Sequence, residues 1–226
     1  MIWGGRTGNV DIKDLVFTFP TIGLGMGNDR TIWNHEVNQA NKIARSLVDA
    51  KRIKFGWRIL LLPNFLIHYI YYKKNLILTR KNLLFTKRMA FDAAKEIAGG
   101  GSHATQIRLV EIKTKKLLDR EKKGYYTEKL RRKQLNEMAL LIDHYLNLLN
   151  SKGKNHAELI RAQYPSKERY VSFLNKLQKA EEGVIQAAIT SMKRGSKQER
   201  VAWFTRLTAA SKEARGKEVE QIFPDF

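Results

Sequence analysis

The sequence predicts a mostly α-helical protein: an irregular multi-helix array with one long basic amphipathic helix and a Gly-rich, largely irregular N-terminal arm. Three observations predict this class. Several segments repeat apolar residues every three to four positions, polar or glycine-rich breaks separate them, and only residues 15–19 and 107–113 also fit a strand. The hydrophobic fraction of 43% is normal for a globular chain, so the pattern indicates packed helices rather than disorder.

The predicted N-terminal arm is rich in glycine and poor in helical pattern. Residues 1–31 contain six glycines and one alternating stretch, residues 15–19, which Pro20 ends. The glycines at positions 23, 25 and 27 lack the Gly-Lys-Ser/Thr ending of a phosphate-binding loop, and their spacing is not that of a dinucleotide-binding loop. We therefore expect a loop that contains one short strand or extended piece.

Two helices are predicted next. Residues 31–54 place apolar side chains at helical spacing, among them Trp33, Val37 and Leu47. After them, Pro63 suits the first turn of a helix, because the amide hydrogen that proline lacks would be unpaired there in any residue. One long helix is predicted from Pro63 to about Ala98, where three consecutive glycines end it.

The rest of the sequence predicts five more helices, separated by polar breaks. Residues 107–113 belong to the first of them, although their apolar pattern also fits a strand. Ser196 and Glu199 fit a capping box, in which each side chain accepts a hydrogen bond from the other residue's backbone amide. The predicted starts are Ser102, Thr127, Ala157, Ser166 and Ser196. The predicted division is an arm plus first helix (1–54), a basic apolar amphipathic segment (55–98) and a C-terminal helical domain (99–226).

Positive charge is concentrated in one stretch of the chain. The 226 residues carry 42 Lys and Arg against 22 Asp and Glu, a formal net charge of +20. Residues 1–49 are neutral overall, residues 50–91 contain ten basic and no acidic side chains, and residues 92–226 contain 27 basic and 17 acidic ones. Half of the surplus therefore lies in residues 50–91, which we call the basic segment.

The basic segment is also strongly apolar. From Ile59 to Tyr72 it contains a run of 14 residues interrupted by Pro63, Asn64 and His68. A helix that crosses a bilayer needs about 20 apolar residues, so this run is too short to span one. It suits burial in a protein core or at the boundary of the lipid headgroups, where tryptophan and tyrosine are favoured.

A seven-residue repeat orders the cations of the basic segment. Its basic pairs are Lys73 with Lys74, Arg80 with Lys81, and Lys87 with Arg88. Because an α-helix has 3.6 residues per turn, positions seven apart drift by only about 20° and form one stripe. Leu76, Leu83 and Ala90 repeat beside that stripe. The repeat therefore predicts a helix that is amphipathic and positively charged along its length.

Local motifs for catalysis or metal binding are absent from the sequence. It contains no cysteine, which excludes disulfides, thiolate metal sites and cysteine nucleophiles. His35 and Glu36 are followed by Gln39, where a zinc-binding His-Glu-x-x-His helix needs a second histidine. The other histidines are isolated and are expected to be solvated or at the edge of the core. A non-enzymatic protein without cofactor, metal or small-molecule substrate is expected, although an active site assembled from distant residues stays open.

The basic segment admits several interpretations. It can be a structural helix with its apolar side in the core, a membrane-surface anchor, a phosphate-backbone site for RNA or DNA, or a docking helix in a larger protein assembly. A nucleic-acid site gains nothing from the apolar residues 59–62 and 65–67, which favours the membrane. The cations of the second half, such as Lys115 with Lys116, favour nucleic acid, because a membrane anchor explains none of them.

We therefore predict that residues 55–91 attach the protein to an anionic membrane surface as a peripheral, non-spanning anchor or accessory subunit. The alternative partner is RNA or DNA, bound without sequence specificity by the same stripe. The predicted anionic-surface residues are Arg58, Lys73, Lys74, Arg80, Lys81, Lys87 and Arg88, and the predicted interfacial apolar residues are Trp57, Phe65, Tyr69 and Tyr72. The N-terminus lacks the pattern of a targeting segment, so a cytoplasmic location, at the cytoplasmic face of a membrane, is expected.

Overall fold

Helices make up most of the part of the chain that the structure describes. The structure, a computed structural model, describes residues 27–49, 62–122, 124–191 and 196–224, and within these ranges the side chains of residues 48, 49, 62–75, 78 and 197 are not described. The helices are α1 (Asn28–Asp49), α2 (Leu62–Ala98), α3 (His103–Arg120), α4 (Glu128–Asn150), α5 (His156–Gln163), α6 (Lys167–Ser191) and α7 (Lys197–Ile222). These ranges contain no strand, and the predicted mostly helical fold is confirmed.

The predicted helices correspond to observed ones. Helix α2 covers the long helix predicted from Pro63 to Ala98, and residues 107–113, which also fitted a strand, lie within α3. Helix α1 begins slightly before the predicted start at residue 31. The predicted N-terminal arm up to residue 26 and the predicted end of the first helix, residues 50–54, lie outside the described residues.

Side chains in the sequence explain where several helices start. The hydroxyl of Thr127 accepts a hydrogen bond from the Leu130 amide at 3.2 Å, and Ser102 and Asn155 cap α3 and α5 in the same way. Ser196 and Glu199 form the predicted capping box, with N–O distances of 3.1 and 2.8 Å. These bonds satisfy backbone amides that have no partner inside the helix.

The three glycines reverse the chain between α2 and α3. Gly100 has a φ of +98°, a conformation that other residues rarely adopt. The Gly101 amide donates to the Glu96 carbonyl at 2.9 Å, and a Cβ at position 101 would lie 2.6 Å from that oxygen. Glycine is therefore required at this turn, which folds α3 back along α2.

Contacts between helices give their directions. Helix α1 is antiparallel to α2, because Asp29 pairs with Lys95 near one end and Asn41 lies beside Arg80 near the other. Helix α4 is parallel to α2, and α6 runs antiparallel to α4. Helix α7 packs against α1 and α6, and the short α5 packs against α1, α4 and α7.

One hydrophobic core joins all seven helices. Helix α4 lies at its centre, since Met138, Leu141, Ile142 and Leu148 have no exposed surface and recur at helical spacing. Burying one such side chain contributes about 1.5 to 3 kcal/mol. Other helices supply buried members of the same core, including Ile32, Phe91, Val110, Ile160, Leu174 and Val219. Residues on both sides of the glycine turn thus share one core.

Helix α2 extends beyond the helices that flank it. Its 37 residues span about 55 Å. The contacts of Lys87 with Glu36 and of Thr86 with Glu137 fix the register of α1 and α4 along it. Counted from these contacts, α1 ends level with about residue 74 of α2 and α4 begins level with about residue 77. The first turns of the α2 backbone therefore lie beyond the ends of α1 and α4. Among the described helices, none has the length and apolar content to cross a bilayer.

Candidate functional site

The predicted anionic-surface residues differ in how far the structure describes them. Arg58 and Trp57 lie outside the described residues. The same holds for the side chains of Lys73, Lys74, Phe65, Tyr69 and Tyr72. Lys81 is exposed, and Arg80 is half-buried with its Nη1 atom 3.5 Å from Oδ1 of Asn41. The first two basic pairs thus lie toward the end of α2 that extends past its neighbours.

The third basic pair is partly buried against neighbouring side chains. Nζ of Lys87 lies 2.6 Å from Oε2 of Glu36 on α1. The Arg88 guanidinium pairs with Asp92 at 3.0 Å and lies over the Trp33 ring, 4.8 Å from its centroid, which is cation–π geometry. Both cations therefore have partners within the chain.

Lys87 belongs to a buried group of charges that we call the interior charge cluster. Its members are Glu36, Lys87, Glu137, Glu181 and Arg215. Glu36 also accepts a hydrogen bond from the Tyr145 hydroxyl at 2.8 Å, and Glu137 accepts one from the Thr86 hydroxyl at 2.8 Å. Glu181 pairs with Arg215 across α6 and α7. The cluster therefore links α1, α2, α4, α6 and α7.

Neighbouring charges decide the protonation of the Glu36 and Lys87 pair. Burial opposes ionisation of Glu36, but the attraction of Lys87 and His35 and the hydrogen bonds it accepts hold its pKa at about 2. Burial likewise opposes the charge of Lys87, and the attraction of Glu36 and Glu181 overcomes it and raises the pKa of the ammonium. The pair is ionised at neutral pH.

The pKa of Glu137 is shifted in the opposite direction to that of Glu36. Burial and the repulsion of Glu181 raise the pKa of Glu137 to about 8, although the Thr86 hydrogen bond favours the carboxylate. The interior charge cluster contains three carboxyl groups and two cations, so a proton on Glu137 leaves it electrically balanced. A buried cluster of this kind can hold one proton at neutral pH.

A second polar group, the histidine–glutamate cluster, lies where α1, the start of α5 and the end of α7 meet. It consists of His35, His156 and Glu218, and no short-range motif connects these residues. Oε1 of Glu218 lies 3.1 Å from Nε2 of His35 and 3.9 Å from Nδ1 of His156. The two imidazole rings stack with centroids 3.5 Å apart and planes at 5°.

The remaining described histidines have different environments. His144 is buried, stacks on Phe173 and lies 2.8 Å from the Tyr164 hydroxyl through Nδ1. Burial lowers the pKa of His144 to about 3, so it is neutral and serves the core. His103 is exposed beside Asp143, at 3.2 Å. The expectation of solvated or core-edge histidines therefore describes His103 well but misses the full burial of His144.

Sequence reasoning missed both polar clusters. It compared His35 and Glu36 with a single-helix zinc motif, whereas the structure directs them to different partners, Glu218 and Lys87. One signal was present for the interior charge cluster: Glu36 lies one helical turn from both Ile32 and Ala40, on the buried face of α1. No comparable signal connects His35, His156 and Glu218, which are far apart in the chain.

Neither cluster lines either of two surface grooves in the described part of the chain. One groove, of about 580 Å³, runs along α6 and is lined by residues between Lys167 and Lys179. A second groove lies beside Asn28, Lys95 and Leu149.

Comparisons with known proteins identify no relative. The sequence matches no protein-family model and no curated protein, and the structure matches no solved structure. Function is therefore inferred from the residues and their geometry.

Proposed function

We propose that this protein is a non-enzymatic anchor or accessory subunit that binds an anionic membrane surface peripherally through its basic segment. One observation carries the proposal: the second half of α2 is fixed in the core, while its first turns extend past the ends of α1 and α4. The extending part has the sequence Leu62 to Lys74, which combines apolar and aromatic residues with cations and contains no acid.

Two forces support binding of such a helix end to a membrane. Apolar and aromatic side chains gain free energy by leaving water at the headgroup boundary, and this term is not screened by salt. Each Lys or Arg near an anionic surface adds about 1 kcal/mol at physiological ionic strength. The apolar run and the first two basic pairs are adjacent in the sequence, so we expect both forces to act on the same part of the protein.

The proposed surface excludes the third basic pair. Lys87 pairs with Glu36 and Arg88 pairs with Asp92, so neither is included among the residues proposed to contact the membrane. The surface residues proposed are Arg58, Lys73, Lys74, Arg80 and Lys81, with Trp57, Phe65, Tyr69 and Tyr72 as the apolar contacts.

Vesicle co-sedimentation of the full chain tests the charge contribution. The protein should sediment with vesicles of phosphatidylserine and phosphatidylcholine at low salt and much less with phosphatidylcholine alone. Lys73→Gln with Lys74→Gln should lower the partition constant about tenfold, because two cations leave the surface. Lys115→Gln with Lys116→Gln removes an equal charge from exposed positions of α3 and is the matched control. Equal losses in the two double variants would contradict a localised surface.

A second pair of variants tests the apolar contribution. Phe65→Ser with Tyr69→Ser should reduce the binding that persists at high salt, since apolar burial is not screened. Leu109→Ser is the control, because Leu109 is an apolar side chain on α3 with 39% exposure. A wild-type chain that stays in the supernatant with anionic vesicles at low salt would refute the proposal.

A specific observation favours one second candidate, binding of RNA or DNA. Exposed cations also line α3 and α4, outside the basic segment of the sequence, and include Lys113, Lys116, Arg120, Lys129, Arg132 and Lys133. Phosphate contacts release counterions, so log K should fall with log salt at about −0.9 per contact on duplex DNA. A mobility shift at the salt of the vesicle assay separates the candidates. Binding that Lys115→Gln with Lys116→Gln weakens and Lys73→Gln with Lys74→Gln does not would favour this candidate.

A further inference from the structure

The histidine–glutamate cluster brings three potential metal ligands together from distant parts of the chain. His35 lies in α1, His156 is the first residue of α5, and Glu218 lies in the last turns of α7. The ligand atoms that these side chains offer all lie within 4.8 Å of one another. Two imidazole nitrogens and a carboxylate oxygen are a common ligand set for zinc and for other divalent transition metals.

The separations between ligand atoms are close to those of a metal site. With metal–ligand bonds of about 2.0 to 2.1 Å, the ligands of a tetrahedral ion lie about 3.3 Å apart. Nε2 of His35 lies 3.1 Å from Oε1 of Glu218, and Nδ1 of His156 lies 3.9 Å from the same oxygen. These two separations lie on either side of that value, and all three ligand atoms lie within 4.8 Å of one another.

The two imidazoles stack with their centroids 3.5 Å apart and their planes at 5°. The lone pair of a ring nitrogen lies in the plane of the ring, so the nitrogens of two stacked rings point in nearly parallel directions. Binding of one ion by both rings therefore requires rotation of at least one imidazole.

Two neighbouring side chains hold the Glu218 carboxylate in place by hydrogen bonds. The Tyr170 hydroxyl donates to Oε1 at 2.8 Å and the Gln39 amide donates to Oε2 at 3.0 Å. Partners of this kind orient a ligating carboxylate in metal sites.

Two further features suit an ion. The side chains of His35 and His156 are 22% and 14% exposed, so solvent reaches the cluster. Gln39 is 8% exposed, and its Oε1 atom has no hydrogen-bond partner among the described residues. That oxygen is a buried acceptor on the side chain that holds Glu218.

We propose that His35, His156 and Glu218 form a binding site for one divalent transition-metal ion, with Zn²⁺ as the ion to test. Three protein ligands leave a fourth position open. The bound ion would join the first helix, the short fifth helix and the last helix of the protein, so it would stabilise the fold. This site is independent of the membrane surface proposed above, because it shares no residue with it.

The test is a titration of the untagged full chain with Zn²⁺ at pH 7.5, followed by calorimetry. Wild type should bind one equivalent in a saturable step, and His35→Gln and His156→Gln should each weaken binding at least about tenfold, as the loss of even indirect ligand support does. His103→Gln is the matched control, because His103 also faces a carboxylate, Asp143, at 3.2 Å but has no third ligand. Equal affinity in all four proteins, or no saturable binding in wild type, would overturn the proposal.

A second measurement needs no variant and therefore does not depend on whether a variant folds. Diethyl pyrocarbonate modifies neutral histidines, and mass spectrometry of the digested wild-type chain locates each modified residue. One equivalent of Zn²⁺ should protect His35 and His156 and leave the modification of His103 unchanged. Modification of all three to the same extent with and without Zn²⁺ would refute the site.

Discussion

Arg80 with Lys81 and Lys87 with Arg88 stand seven residues apart in the same repeat, yet their surroundings differ. Arg80 lies beside the neutral Asn41, whereas Lys87, seven residues later, lies 2.6 Å from a carboxylate oxygen of Glu36. Lys81 is exposed on α2, whereas Arg88, seven residues later, pairs with Asp92 and covers Trp33. Equivalent positions in a sequence repeat thus have different physical roles.

The cause of this difference lies in neighbouring helices. Helix α1 places Glu36 opposite Lys87, and near Arg80 it offers Asn41, which carries no charge. Helix α4 adds Glu137 near the third pair but begins only level with about residue 77 of α2. A repeat of cations therefore indicates which residues lie on the same stripe of a helix. The side chains of the helices that pack against this stripe determine which of the cations remain exposed.

Of the substitutions in the basic pairs, we expect Lys87→Met to destabilise the protein most. The substitution leaves the buried Glu36 carboxylate without its cation, which should lower the free energy of unfolding by about 3 to 5 kcal/mol. Lys81→Met removes a lysine from an exposed position six residues earlier in α2 and should change it by no more than about 0.5 kcal/mol. Urea unfolding of both variants measures the difference.

A double variant sharpens the Lys87 result. Glu36→Gln removes the buried charge, so Lys87→Met combined with Glu36→Gln should be less destabilised than the sum of the single variants. An additive result would mean that Lys87 stabilises the protein by packing and that its ion pair with Glu36 contributes little.

A smaller effect is expected from the pH dependence of Glu137. Its pKa is about 8 in the folded protein and about 4.5 when unfolded, so its stabilising contribution is complete below pH 4.5 and is lost as the pH rises through 8. Glu137→Gln keeps a neutral side chain at every pH. Between pH 5 and pH 8 the free energy of unfolding of wild type should therefore fall relative to that of Glu137→Gln by about 3 kcal/mol.

Glu36 provides the internal control for this pH experiment. Its pKa of about 2 lies below the unfolded value of 4.5, so its contribution is present above pH 4.5 and is lost as the pH falls toward 2. Acid destabilisation should thus occur in wild type and Glu137→Gln alike. Parallel stability curves for the two proteins between pH 5 and pH 8 would show that Glu137 does not retain a proton.

The smallest effect is expected from Arg88→Gln. Its partly exposed ion pair with Asp92 and its contact with Trp33 should together contribute about 1 kcal/mol. Lys115 forms a similar pair with Asp119 at 3.0 Å, but both side chains are more than half exposed. Lys115→Gln should therefore cost less than about 0.5 kcal/mol in the same unfolding assay. An equal loss of unfolding free energy in the two variants would mean that the contact of Arg88 with Trp33 contributes no measurable stability.

The sequence predicted the elements of the fold because their signals are local. Apolar spacing gave the helices, Ser102, Thr127 and Ser196 marked three starts, and the three glycines marked the turn after α2. A helix cap or a turn depends on residues within a few positions of one another. Such features can therefore be recognised before the tertiary structure is known.

The polar sites could not be predicted in this way. His35, His156 and Glu218 meet because α1, α5 and α7 pack together, and Lys87 pairs with a carboxylate on a different helix. A histidine or a lysine has the same local pattern whether it faces water or a buried partner.

The sequence by itself determined that this is a basic, cysteine-free, mostly helical protein whose cations concentrate beside an apolar run in α2. The tertiary structure alone decided that Lys87 pairs with Glu36, that burial raises the pKa of Glu137, and that two stacked histidines lie beside Glu218. The physical reason is the sequence distance over which each feature is set. Helix formation depends on residues within a few positions of one another, whereas burial and charge pairing depend on which helices pack together.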